Sequence, residues 1–337
     1  MKNNFIFIIL GFFVLVSCRD NMVDNCPSTD EIVSQFIQPT GEEIIINNDG
    51  QLYQMVNGEC SYAFDYYDAS FPDSYFSEVD GDVFFITPDG NFPATRSIRE
   101  DFERYESFVD LFYSSVSEIG EKYWGIMTLQ SPHAKTVEEY VALRKCILDG
   151  SCDFLDNKIE LVTDPVNLTN QCLKFTAVYK TEDMVTCKSS ISTPILFFEK
   201  GDDFWFEADF YIDGSLPTTL VDFENEFFEG FPGPRILISN NKLTIENKFG
   251  SKEIYRHDRK ITVPKQQWFS IKIHLILDES EDGLLELWQE GELLFSQNGI
   301  NIPLANSIHN RIEIGLSATS EATTVYVDNV RIDDKGF

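Results

Sequence analysis

The chain has 337 residues and carries 26 basic against 56 acidic side chains, a net charge of −30. Such a chain repels nucleic acid and anionic lipid surfaces, so neither is an expected partner. Hydrophobic residues make up 43% and aromatics 14%, which excludes an acidic disordered tail and allows a core of ordinary size.

The first residues combine Lys2 with an apolar run from Phe5 to Val16. The run is too short for a comfortable membrane span and fits the core of a signal peptide over residues 1–17. It ends in Leu15-Val16-Ser17-Cys18, which resembles the bacterial lipobox. That resemblance implies cleavage before Cys18 and lipidation of Cys18. No later segment is apolar and long enough to span a bilayer, so the acyl chains would be the only anchor. Residues 18–38 then read as the lipidated Cys and a polar tether. The stretch RDNMVDN loosely resembles the acidic export signal of surface lipoproteins. The expectation is a lipid-anchored protein of the outer membrane, exposed at the surface.

Seven cysteines leave six once Cys18 is set aside, and an even number in an exported chain suggests disulfides. Proximity suggests Cys146 with Cys152 and Cys172 with Cys187, leaving Cys26 with Cys60, out of fifteen pairings. No Cys-x-x-Cys occurs and the four histidines are scattered, which disfavours zinc.

Residues 39–155 form a mixed N-terminal region. Its first half is rich in Asp, Gly, Asn and aromatics and reads as loops with short strands such as DVFFI. Ser97 and Glu100 then make a capping-box pattern, and Phe102, Tyr105, Val109, Phe112, Val116 and Ile119 follow at helical spacing. This predicts a helix over 97–123. Thr136 and Glu139 repeat the capping box, and Gly150 is a stop, predicting a second helix over 136–149.

From residue 156 to 337 the period changes to two. FWFEADFYI puts Phe204, Phe206, Phe210 and Ile212 on one face and Trp205, Glu207, Asp209 and Tyr211 on the other. WFSIKIHLIL points Ile271, Ile273 and Leu275 inward, with Lys272 and His274 outward. LLELWQEGELLF reads as a hairpin turning at Glu290-Gly291. Strands at this spacing, with no helix between them, predict a mainly β protein with an antiparallel β-sandwich. Val325 and Val327 join its expected core.

The Trp-led strand QWFSIKIHL, the hairpin DGLLELWQEGELLF and the closing strand VYVDNVRI together resemble the concanavalin-A-like jelly rolls. Within these the chain is most similar to polysaccharide lyases of the heparin lyase I, alginate lyase and glucuronan lyase kind. The resemblance covers roughly residues 156–333. It implies two curved sheets, the concave one forming a glycan groove, and proton abstraction beside a uronate carboxylate. It carries over no catalytic residue. The Arg-x-Glu, Gln-Ile-His and Tyr-x-Lys-x-Gly-x-Tyr triplet of alginate lyases is absent from this chain.

Candidate site residues therefore come from their own chemistry. SKEIYRHDRK gathers Lys252, Arg256, His257, Arg259 and Lys260 around Tyr255, a basic island in an acidic chain. His274, with Lys272 a strand step away, is a candidate base, as are Tyr255 and His257. TTLVDFENEFFEGFPGPRI sends Val221 and Phe223 to one side and Asp222 and Glu224 to the other. Those acids are candidates for ligand contact, with Arg235 as a carboxylate clamp or, preferably, their salt-bridge partner. Trp205, Tyr211 and Trp288 face away from the core and are candidates for stacking on sugar rings. Asp328-Asn329 and Asp156-Asn157 are candidate contacts for a structural calcium. Asp222, Glu224, Trp205, Tyr211, Arg235, Lys272 and Arg256 form the expected ligand-binding set, with the outward groups predicted to share one face. The reading is a surface lipoprotein that binds polysaccharide. The alternatives are a lyase cleaving an acidic glycan by β-elimination, and a non-catalytic adhesion or structural lipoprotein.

Overall fold

The computed structural model describes residues 27–28, 32–37, 43–47, 51–56, 59–65, 75–79, 82–87, 90–113, 118, 120–225, 232–303 and 307–337. The expected signal peptide, Cys18 and most of the tether lie outside them. Near the N-terminus, β1 (Ile32–Ile37), β2 (Glu43–Asn47), β3 (Gln51–Val56) and β4 (Glu59–Asp65) form an antiparallel meander. A second one joins β5 (Tyr75–Val79), β6 (Asp82–Thr87) and β7 (Gly90–Pro93).

The rest is a sandwich of two antiparallel sheets. The larger sheet runs β10 (Lys158–Thr163), β11 (Gln171–Ala177), β22 (Thr323–Asp333), β13 (Asp203–Gly214), β18 (Trp268–Ile276), β19 (Leu284–Gln289) and β20 (Glu292–Asn298). The short β8 (Ile98–Glu100) adds to β22. The smaller sheet runs β17 (Ile254–Tyr255), β16 (Lys242–Asn247), β15 (Pro232–Ser239), β14 (Thr219–Asn225), β21 (His309–Thr319), β12 (Cys187–Thr193) and β9 (Ile126–Thr128). Because β8 and β9 belong to these sheets, the sandwich begins before residue 156, where the sequence placed its boundary.

Alternation works as read. Phe204, Phe206, Phe210, Ile271, Ile273, Leu275, Val325 and Val327 are all fully buried between the sheets. The β19–β20 hairpin turns at Glu290 and Gly291, both with positive φ, as a two-residue turn that follows the strand twist requires.

Two expectations need correction. Among the described residues, no α-helix covers 97–123. Ile98–Glu100 instead pairs with Val330–Ile332, and Phe102 takes a left-handed backbone with φ of 59°, which ends any helix. The Glu100 carboxylate accepts from the Phe102 N–H, Arg104 and the Tyr105 hydroxyl, fixing this turn. Phe102, Tyr105 and Phe112 are buried as expected, but from turns and a 3-10 turn over Phe108–Leu111. The second helix is present as α1 (Val137–Leu148), capped by Thr136 and Glu139. Cys146 and Cys152 are bonded, but Cys172 and Cys187 are buried free thiols. They sit on β11 and β12, in opposite sheets, so nearness in sequence misled the pairing.

The sheets approach closely at Gly315, whose φ is +117°. A Cβ there would lie 2.7 Å from the Phe175 ring on the facing sheet. Gly315→Ala combines a left-handed penalty with overpacking, and should cost about 1–3 kcal/mol. The urea midpoint of the variant measures this.

Candidate active site

Strand β14 packs Val221 and Phe223 into the core and turns Asp222 and Glu224 outward, away from the larger sheet. In the ladder Asp222 lies opposite Arg235 on β15 and Glu313 on β21, while Glu224 lies opposite Arg311. Arg235 in turn lies opposite Glu246 on β16. The outward face of the smaller sheet is thus charged across four neighbouring strands.

These charges are tightly paired. Lys248, just past β16, reaches Asp222 Oδ1 with its Nζ at 2.7 Å and also bonds Glu224. The Ser317 hydroxyl donates to Asp222. Lys188 on β12 reaches Glu313 at 3.2 Å, and Ser190 donates to the same carboxylate at 2.5 Å. The Arg235 guanidinium goes to Glu246, at 2.5 Å, rather than to the Asp222 or Glu224 expected from the sequence. Asp222 is only 3% exposed and Glu313 7%. Carboxylates held so far from water on an outward face must be compensated, and the lysines do this.

Burial works against the charge of Lys248, but Glu224 and Asp222 outweigh it and hold the ammonium above its ordinary range. Lys188 is likewise held protonated, mainly by Glu313, against its own burial. Burial pushes the Glu224 carboxyl up, and Lys248 offsets this only in part.

Oxygens of Asp222, Glu224 and Glu313 lie within 4.8 Å of one another, a spacing a metal ion could use. They do not fit one here, because Asp222 and Glu224 aim at Lys248 and Glu313 at Lys188 and Ser190. The calcium candidates are also committed elsewhere. Asp156 accepts from His133, and the Asn157 amide donates to the carbonyls of Gln130 and Lys188. Asp328 accepts from Asn170 and from the Asn329 N–H.

The other predicted residues do not join this face. Trp205, Tyr211, Trp288, Lys272 and His274 lie on the outward side of the larger sheet, across the whole sandwich from Asp222 and Glu224. The expected single face is therefore two. There the rings stack on one another: Trp205 lies flat on His274, with centroids 3.8 Å apart and planes 7° apart. Lys272 covers Trp288 at 4.8 Å. His274 is fixed between Asp203 at 2.7 Å and Glu286 at 2.9 Å, clamping β13, β18 and β19 together. Tyr211 packs edge-on against Trp268 and Tyr326.

The basic island lies at a third place. Tyr255, on the edge strand β17, points into the core, and its hydroxyl meets Glu253. Burial, then Glu253, raises its pKa, which opposes a role as base. His257 is buried too, and burial with Lys242 and Arg259 lowers its pKa. Arg256 is exposed, and Arg259 pairs with Glu292 on β20, the edge strand of the other sheet. The island therefore closes one edge of the sandwich.

Lys188, Lys248, Glu313 and Ser317 escaped the sequence reading. For Glu313 and Ser317 the signal was present as polar residues alternating with apolar ones in RIEIGLSA, whereas Lys188 in CKSSIST and Lys248 beyond β16 carry no such pattern. Which of these strands become neighbours is not written in any one of them.

Lys248→Met should leave the buried Asp222 and the half-buried Glu224 without their cation and cost about 3–5 kcal/mol. The Glu224 carboxyl is already above its unfolded pKa, so protonation favours the folded state and stability falls as pH rises through the folded value. Removing the lysine enlarges this effect. Urea unfolding at pH 5 and pH 8 should show the larger deficit at pH 8.

Residues 130–331 match the family described as polysaccharide lyase. The endo-β-1,4-glucuronan lyase of the fungus Trichoderma reesei superposes with a TM-score of 0.50 at 14% identity, over 72% of this chain and 96% of that one. Alginate lyase Aly36B gives 0.42 at 9% identity, over 71% of this chain and 97% of that one. The alginate lyase of Aplysia kurodai gives 0.38 at 12% identity, over 61% and 97%. No curated protein matches the chain in sequence. The first superposition agrees with the jelly-roll fold, and with the family match over more than half its length the chain belongs to the polysaccharide lyase family.

Proposed function

We propose that this protein is a lyase that cleaves a uronate-containing polysaccharide by β-elimination on the outward face of the smaller sheet. The observation that carries this is the row of basic side chains there, Lys188, Lys248 and Arg235, in a chain of net charge −30. β-Elimination needs the uronate carboxylate neutralised so that the neighbouring C5 proton becomes acidic. It also needs a base for that proton and a proton for the departing O4 oxygen. Lysines held above their ordinary pKa supply the neutralising charge at any working pH. Lys248 keeps N–H capacity beyond its bonds to Asp222 and Glu224, since an ammonium has three donors.

Among the described residues of these seven strands, the outward face carries neither Tyr nor His. His309 points inward against Phe204 and Phe223, and burial depresses its pKa to about 3. That observation favours a second reading, binding without cleavage. The two readings separate in one assay. Elimination creates a C4–C5 double bond conjugated with the carboxylate, which absorbs in the ultraviolet. The protein, incubated with glucuronan and with alginate, should generate this absorbance on at least one polymer and shorten it. Polymer retained in affinity electrophoresis with no new absorbance would support binding alone.

The proposal includes lipid anchoring at the outer membrane surface, supported by the apolar run that ends at Cys18. Cys18→Ala should abolish incorporation of labelled fatty acid and move the protein out of the membrane fraction. Unchanged labelling and fractionation would exclude the anchor.

A further inference from the structure

We infer that Glu224 is the group that takes the C5 proton, and that a uronate carboxylate held on Lys248 brings it to working strength. This rests on the lyase reading above and deepens it. Four carboxylates line the face, but they are not equivalent: Glu246, 15% exposed, is held by two nitrogens of Arg235. Asp222 is 4% exposed at its side chain and is held by Ser317 and Lys248. Glu313 is 9% exposed and held by Lys188 and Ser190. Glu224 is the most open, at 19%, and its hydrogen-bonding partner among the described residues is Lys248. It is the one carboxylate that can leave its partner without abandoning a second bond.

The groups that face Glu224 come from four strands and set its proton affinity. Lys248 at the end of β16 lowers it, while Asp222 on β14 and Glu313 on β21 raise it. Arg311 on β21 lies opposite it in the ladder, and Lys188 on β12 stands beyond Glu313. In the free protein Lys248 divides its charge between two carboxylates. A uronate carboxylate on its remaining N–H makes three, and adds a third negative charge beside Glu224, after Asp222 and Glu313. Both changes weaken the hold on Glu224 and raise its affinity for a proton. The base strengthens only when an acidic sugar is present, and a neutral sugar at the same place leaves it masked.

The step balances without any co-reactant. Glu224 takes the proton from C5 and the C5–H electron pair becomes the C4–C5 double bond. The C4–O4 bond breaks, and O4 leaves with its electron pair. In glucuronan, O4 departs from the same face of the ring as H5, so the Glu224 carboxyl returns the proton to it and is regenerated.

The test uses the full chain with glucuronan or alginate and follows the ultraviolet product. Glu224→Gln should reduce kcat by about 10²–10⁴-fold, the usual contribution of a general base. Its polymer affinity by calorimetry should stay within about threefold, because the cations remain. The acid limb of the kcat/KM profile should disappear from its residual activity. Glu224→Asp keeps the charge but withdraws the carboxylate by one methylene. It should lose roughly tenfold and retain the acid limb. A folded Glu224→Gln with near-normal kcat and an unchanged acid limb would overturn the assignment while leaving the lyase reading intact. If Glu224→Gln does not fold, an Asp variant as fast as the parent overturns it. A parent protein that yields no unsaturated product from any uronate polymer removes the lyase reading, and this assignment with it.

Discussion

Phe223 sits edge-on against both Phe204 and Phe206 of the facing sheet, with ring centroids 5.5 Å away in each case. That contact fixes the register of β14. A slip of one residue would put Asp222 or Glu224 into the core and Phe223 into water, because strand side chains alternate with a period of two. The packing of one aromatic ring therefore decides where the two acids point. The site is a consequence of the core, one residue away on the same strand.

The same constraint explains why the acids are not simply a wet surface. They lie on the outward side of a sheet, yet Asp222 and Glu313 are almost as buried as the core. Unpaired carboxylates in that position would cost several kcal/mol each. The chain meets this by drawing cations from three other strands or their ends: Lys188 from β12, Arg235 from β15 and Lys248 from β16. A more economical fold would have used apolar residues here. The face instead keeps its charges paired at low exposure.

How much of this could be read from the sequence depends on how local each feature is. The alternation in FWFEADFYI and WFSIKIHLIL placed seven core residues correctly, since period two needs only neighbouring residues. The helix over 137–148 was legible through its capping box. The box at Ser97 and Glu100 misled because Glu100 caps a turn and its strand is claimed by β22, far along the chain. Pairing of Cys172 with Cys187 failed for a similar reason, as consecutive strands here cross between sheets. Most instructive is the division of the expected site. Alternation says that Trp205 and Asp222 both face away from the core, and this is true. It does not say that a sandwich has two such sides, and only the assignment of β13 and β14 to different sheets separates them.

The electrostatics of the face follow from this pairing. Lys188, Lys248, Arg235 and Arg311 stand against Asp222, Glu224, Glu246 and Glu313, four charges of each sign, in a chain of −30. The face is close to neutral while its surroundings repel a polyanion. At physiological salt that long-range repulsion fades beyond about 8 Å, so it discourages contact elsewhere without barring approach. On the proposed reading, a uronate polymer is admitted where repulsion is least and held where ammonium groups can share their donors. High acidity of the whole chain and an acidic substrate are compatible on these terms. What matters is the local balance that the strand ladder creates, and β14, with its two acids between Arg235 and Arg311, is where that balance is set.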